Sequence, residues 1–231
     1  MAKSVSTFYD EFSVKQLETG VNIRHYSIIT KLKAAGLKSN HNVLEVGCGI
    51  GTLTGLLGKF LNQGSLTATD ISPESIEVAK KRCSSNKNTS FVVTDMSDFR
   101  PENQLDFVVF PDVLEHIPKD QHNNIFRNVS ALLKSNGKIA VHIPDPVQLD
   151  FIRNYNPDQL QIIDQSLYFE DFKNAIEGTD LMLDTYLRYK LYSDSPDYNW
   201  IVFSRKHKLN KSGKQSKILL KIKQLYWKFL G

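Results

Sequence analysis

Cysteine is nearly absent from this chain, with Cys48 and Cys83 the only two in 231 residues. One sits inside a glycine turn and the other near a helix end, so they make neither a metal-ligand spacing nor a disulfide framework, and a stapled secreted domain is excluded. Long apolar runs are missing too, and nothing approaches the ~20 residues of a spanning helix. The first thirty residues lack the basic start, apolar run and small-residue cleavage site of a secretory signal. The expected location is therefore the cytoplasm. Acid is missing from one end: Arg205 to Gly231 holds nine Lys or Arg and no Asp or Glu. Before it, 20 basic residues face 25 acidic ones, so a body near −5 carries a tail of +9. Arguments about anionic partners concern that tail alone.

Hydrophobic residues make up 41% of the chain and charged residues 23%, the balance of a globular protein with one full-sized core. Short β-branched runs alternate with helical patterns from Asn42 onward, the order of a parallel sheet with helices on both faces. Strands are expected over 42–46, 65–69, 90–94, 105–110, 138–143, 181–189 and 198–204, seven in all. Helices are expected over 52–60, from the Ser72-Pro73-Glu74 start, over 119–133 with Asn136-Gly137 as the stop signal, and over 167–177. Residues 1–204 then form one domain, in which 1–38 is a helical cap with helices over 7–17 and 22–35. Residues 144–166, punctuated by Pro144, Pro146 and Pro157, show no period and are expected to be a substrate-side insertion; 205–231 is the basic tail.

The turn Glu45-Val46-Gly47-Cys48-Gly49-Ile50-Gly51 follows the first strand, and Asp70 stands about twenty residues on, placed to grip a ribose. Glu45 separates two ligand types. A dinucleotide would bring a pyrophosphate to this turn, and an acid at its mouth would oppose it, whereas S-adenosylmethionine brings an ammonium, a carboxylate and a sulfonium. Asp95, after the third strand, is placed to accept from an adenine amino group, with Met96 beside it as an apolar ring contact.

In these residues the chain resembles the class I methyltransferases, small-molecule and sugar O-methyltransferases in particular. Val43 to Gly51 is similar to their first motif, Thr69-Asp70-Ile71-Ser72 to the ribose acid, Thr94-Asp95-Met96 to the adenine acid, and Asp112-Val113-Leu114-Glu115-His116-Ile117 to the fourth motif. The likeness runs from Asn42 to Ile143 and implies a Rossmann-like α/β fold that binds S-adenosylmethionine. It implies cofactor contacts from Gly47, Cys48, Gly49, Gly51, Asp70, Ile71, Asp95, Met96, Asp112 and Val113. By the same analogy Tyr9, Arg24, His25 and Tyr26 belong to helices folding over the cofactor, with Arg24 near its carboxylate.

Methyl transfer to a hydroxyl needs the nucleophile held in line and its proton removed. His116, six residues past the fourth strand on the carboxyl edge, is the expected base, its ordinary pKa of ~6.5 leaving a neutral imidazole near pH 7. His142 and Asp145 are expected to approach the same cleft, and Glu115 and Asp112 are further candidates. A packing or capping role for His116, His142 and Asp145 competes with each assignment. The fourth-strand segment Phe110-Pro111-Asp112-Val113 lacks the Asn/Asp-Pro-Pro-aromatic motif of amino-methylating nucleic-acid enzymes and the Pro-Cys pair of cytosine methylation. No His and acid cluster has metal spacing. The expected reaction is O-methylation of a small molecule or glycan. N-methylation of RNA or protein, or a non-catalytic membrane or nucleic-acid adaptor on the same fold, stands as the alternative.

From Lys214 to Leu230 a helical wheel gathers Ile218, Leu219, Ile222, Leu225, Tyr226, Phe229 and Leu230 on one arc with lysines beside it. Residues 214–230 suit an anionic membrane surface, docking on the chain's own domain or on a second copy as a homodimer, or, less well, nucleic acid.

Overall fold

The computed structural model describes residues 20–160, 163–206 and 216–230. A seven-stranded sheet organises it: β1 (Asn42–Val46), β2 (Ser65–Asp70), β3 (Thr89–Val93), β4 (Leu105–Pro111), β5 (Leu133–Pro144), β6 (Leu181–Tyr189) and β7 (Tyr198–Arg205). The spatial order is β3-β2-β1-β4-β5-β7-β6. The first five strands are parallel, and β7 runs antiparallel between β5 and β6. The order reverses between β1 and β4, which opens a crevice at their carboxyl ends, the place where open α/β sheets bind ligands.

Helices α1 (Ile23–Ala34), α2 (Thr52–Phe60), α3 (Pro73–Arg82), α4 (Lys119–Leu132), α5 (Pro146–Tyr155) and α6 (Phe169–Ala175) accompany the sheet. One core, with Phe110, Phe126, Phe172 and Phe203, lies against one face, and another, with Leu32, Leu57, Leu66 and Trp200, against the other. The strands buried on both faces are the apolar runs, such as Val108-Val109-Phe110. α3 starts as its residues dictate: the Ser72 hydroxyl accepts from the Ser75 N–H at 3.1 Å, with Pro73 in the first turn.

Two elements differ from expectation. The Asn136-Gly137 pair lies inside β5 rather than in a helix cap, because the chain passes from Leu132 straight into the strand. Gly137 is small because a Cβ there would stand 2.9 Å from the Leu105 carbonyl oxygen across the sheet. Within 144–166, α5 replaces the unpatterned stretch. Asp145 caps it through the Val147 N–H at 3.0 Å and Pro146 occupies its first turn. A 3-10 turn follows over Pro157–Gln159. The expected helix over 7–17, and Tyr9 with it, lie outside the described residues. The tail forms α7 (Lys217–Leu230), an exposed amphipathic helix.

Candidate active site

Above the crevice lies a cavity of about 1160 Å³, roomy enough for an adenosyl cofactor and an acceptor together. Its floor is the glycine turn. Gly47 (φ 73°) and Gly49 (φ 51°) hold left-handed conformations, and a Cβ on Gly47 would collide with the Val113 side chain. The Gly47 and Cys48 N–H groups both donate to the Thr69 carbonyl at 2.8 Å, tying the turn to β2. Asp70 accepts from the Gly49 N–H at 2.8 Å and the Ser72 N–H at 2.9 Å. Burial raises its pKa while these bonds act the other way. Ile71, 56% exposed, stands beside it on the cavity wall.

Glu45 is fully buried on that floor, and neither carboxylate oxygen has a well-formed hydrogen bond among the described residues. Burial pushes its pKa up to about 8, with the neighbouring Thr54 hydroxyl a weak counterweight and Asp70 adding to the rise. A buried acid without a counterion is costly, and a cationic group arriving in the cavity would satisfy it. The ammonium and sulfonium of S-adenosylmethionine fit that requirement.

The next wall is built on Asp112, which holds φ 57° at the end of β4. One oxygen meets Arg24 Nη1 at 3.0 Å and the other His142 Nδ1 at 2.7 Å. Burial alone would raise its pKa, but Arg24 and then His142 hold it down to about 2. His142 Nε2 lies 2.7 Å from the Tyr189 hydroxyl, and its ring stacks on Tyr198 at 4.7 Å. Arg24 comes from α1, whose start is fixed by a capping box between Asn22 and His25. Burial, helped by Arg24, lowers the His25 pKa to about 4.

The same cavity is lined by a cluster of Glu115, His116 and Asp164. His116 Nδ1 lies 3.0 Å from Asp164 Oδ1 and 2.6 Å from the Ile163 carbonyl oxygen, and Nε2 lies 3.9 Å from Glu115 Oε1. Burial opposes the charged imidazole, yet Glu115 and Asp164 prevail and raise its pKa to about 9. Glu115 is buried, its Oε2 has no hydrogen-bond partner among the described residues, and burial lifts its pKa to about 8.

Residues 43–137 match the family described as "Methyltransferase domain". The chain is 30% identical over 117 residues to malonyl-[acyl-carrier protein] O-methyltransferase 1 of Ilyobacter polytropus, an alignment spanning 51% of this chain and 43% of that protein. It is 32% identical over 109 residues to trans-aconitate 2-methyltransferase of an Escherichia coli strain, across 47% of this chain and 41% of that protein. Residues 43–137 are a methyltransferase domain, on the fold shared by solved S-adenosylmethionine-dependent methyltransferases. The chain spans less than half the length of these two relatives. Among solved structures, the N-methyltransferase NodS of Bradyrhizobium japonicum, in complex with S-adenosyl-L-homocysteine, superposes with TM-score 0.63 at 19% identity over 80% of this chain and 86% of that one. A TehB-like S-adenosylmethionine-dependent methyltransferase of Corynebacterium glutamicum does so with TM-score 0.62 at 21% identity over 87% and 98%. These share the methyltransferase fold.

Within the methyltransferase domain, the cavity wall includes Glu45, Gly47, Cys48, Gly49, Asp70, Ile71, Asp95, Met96, Asp112, Val113 and His116, together with Arg24 from the preceding helix. Met96 is more deeply placed than a surface ring contact: it holds φ 68°, and its sulfur accepts from the Thr69 hydroxyl at 3.6 Å. Asp95 is exposed at the rim, where its Oδ1 accepts from the Ser97 N–H at 2.9 Å. Gly51 departs from expectation. It lies off the cavity wall as the N-cap of α2, where a Cβ would come within 3.0 Å of Ala79 and 3.1 Å of Cys83 Sγ, so it permits helix packing.

His142 and Asp145 do not approach the cleft as expected. Both are completely buried and outside the cavity wall: His142 stands behind Asp112, and Asp145 is occupied by the α5 cap and by Arg188, 2.6 Å from Nε. At His116 the expected pKa of ~6.5 does not hold, because Glu115 and Asp164 favour the charged imidazole and raise it to about 9. Sequence reasoning missed Asp164, Tyr192 and Tyr198, which join the wall from segments distant in the chain. It also missed Leu149 and Ile152; the Asp145-Pro146 start with apolar residues at those positions was the available signal.

Proposed function

We propose that the chain methylates a hydroxyl of a small molecule or glycan. The observation that supports this most directly is the Glu115-His116-Asp164 cluster, which lines the same cavity as the glycine cradle. S-adenosylmethionine, when bound, supplies the methyl group on a sulfonium. In this reading Gly47, Cys48 and Gly49 approach the cofactor with backbone, Asp70 takes the ribose, Asp95 the adenine rim, and Glu45 faces the cationic end. Arg24 and Asp112 shape the wall beside its carboxylate, with Val113 and Ile71 as apolar contacts and His142 as a positioning residue behind Asp112. The acceptor sits between the cradle and α5. Its proton passes to the Glu115 carboxylate in its ionised form, while His116, held by Asp164, positions the acceptor hydroxyl.

The charge of the wall narrows the acceptor. Among the described residues lining the cavity Arg24 is the one Lys or Arg, and Asp112 already pairs with it. A neutral hydroxyl acceptor suits this wall better than a multiply charged acid. An amine acceptor is the second reading, favoured by the unpartnered Glu115 Oε2, and identification of the labelled product as ether or amine decides between them.

Two measurements test the assignment. Calorimetry should show S-adenosylmethionine binding that Asp70→Ala weakens at least tenfold; unchanged affinity would remove the basis for the site. His116→Ala should lower kcat by ~100-fold or more on the true acceptor. Full turnover in that variant would reduce His116 to packing.

A further inference from the structure

Residues 217–229, nearly all of helix α7, are exposed. Along it Ile218, Leu219, Leu220, Ile222, Leu225, Tyr226, Trp227 and Phe229 are all exposed, Trp227 by 69% and Phe229 by 82%. Six of these eight share one face of the fourteen-residue helix, with Leu220 and Trp227 outside it, and that face needs a cover, since isolated exposed apolars are ordinary but a continuous face is not. At 100° per residue, Ile218, Ile222, Leu225, Phe229, Tyr226 and Leu219 fall on one arc. Lys217, Lys221 and Lys228 run along one edge of it and Lys223 along the other.

Three occupants are conceivable, and charge and side-chain chemistry separate them. Nucleic acid would be met by the lysines, but a broad aliphatic arc between them has no use on a phosphate backbone. A second copy would bury the arc, yet lysines flanking both edges and two adjacent aromatics are not required for that. An anionic bilayer suits this arrangement: the aliphatic arc enters the acyl boundary, Tyr226 within it and Trp227 on the flank beyond Lys223 meet the headgroup region, and the edge lysines meet lipid phosphates. The length is also right for lying on a membrane and not for crossing one, since no described helix is long and apolar enough to span.

A second feature points the same way. On α5, Val147, Phe151 and Tyr155 are exposed at successive four-residue steps, with Phe151 and Tyr155 rings 4.7 Å apart. The other side of that helix, Leu149 and Ile152, lines the cavity. An apolar stripe thus lies one helix away from the acceptor region. The rest of the body, near −5, would be repelled by an anionic surface, which leaves the +9 tail as the attractive part.

We infer that α7 is an interfacial anchor that holds this chain on anionic lipid bilayers. The inference does not depend on the methyl acceptor, so it stands or falls separately from the proposed reaction. Trp227 provides the probe, because the other tryptophan, Trp200, is buried in the sheet core. The full chain should sediment with vesicles of phosphatidylcholine containing 30% phosphatidylglycerol at least tenfold more than with phosphatidylcholine alone. Its emission should shift to the blue on the same vesicles, and Trp227→Phe should lose that shift. Lys217→Gln/Lys221→Gln/Lys228→Gln should reduce sedimentation at least fivefold, as should 0.5 M salt, and Phe229→Ala/Ile222→Ser should do so without salt. These exposed positions leave folding intact, checked by unchanged S-adenosylmethionine binding. Equal sedimentation with neutral and anionic vesicles, none with either, Trp227 shifts produced by RNA but not vesicles, or a concentration-dependent dimer abolished by Phe229→Ala with no lipid binding would each overturn it.

Discussion

At the scale of single residues, the cavity floor is defined by an unsatisfied acid. Glu45 is completely buried without a formed hydrogen bond, and its pKa rises to about 8. A raised carboxyl pKa means the folded state holds the proton more tightly than the unfolded one, so this group costs stability as pH climbs from ~4.5 through about 8. Glu45→Gln should therefore stabilise the ligand-free protein at pH 8, by roughly 1–3 kcal/mol in denaturant unfolding. The same change should weaken S-adenosylmethionine more than S-adenosylhomocysteine, which lacks the sulfonium charge; equal losses in calorimetry would place the cation elsewhere. Glu45, Gly47, Asp70 and Asp112 are all legible in the sequence because each is set by strand-to-helix spacing. The state of His116 is not: Glu115 is its neighbour in sequence, but Asp164 reaches it from 48 residues away, and only their convergence determines its charge.

At the scale of elements, the strands read well and the segment between β5 and β6 read poorly. Alternating or continuous apolar runs register burial directly, so the starts of β1, β2, β4, β6 and β7 fall where the pattern put them. α5 was hidden by prolines that look like loop punctuation, although Pro146 sits in the first turn, where a missing N–H costs nothing. Asp145 carries that helix: its carboxylate caps α5 and receives Arg188 Nε at 2.6 Å and Nη2 at 3.0 Å. Asp145→Ala should cost about 1–2 kcal/mol, from the cap chiefly. Since Leu149 and Ile152 line the cavity, KM for the acceptor should rise while S-adenosylmethionine affinity stays nearly constant. A kcat loss with unchanged KM would instead give Asp145 a direct part in the chemistry.

At the scale of the whole molecule, the cluster proposed to serve the acceptor would couple reaction rate to pH. Glu115 and His116 have pKa values raised to about 8 and about 9, so both hold protons near neutrality. A base must be vacant to take the acceptor proton, and kcat should therefore rise between pH 7 and 9. Stability should move the other way. The raised His116 pKa contributes stability that is complete below ~6.5 and is lost as pH passes about 9. Glu115, also raised, adds a loss through about 8. A rate profile flat across this window, or a melting temperature that increases over it, would contradict the cluster's assigned protonation.

Val113 occupies the space where a side chain on Gly47 would have been. The turn after β1 and the turn after β4 are thereby meshed, one tooth in one gap, and neither can shift far without pushing the other. In the proposed reading the donor and acceptor halves of the cavity are for this reason linked thermodynamically. Occupancy of one side that settles Val113 should raise affinity on the other by a factor that is the same in both directions.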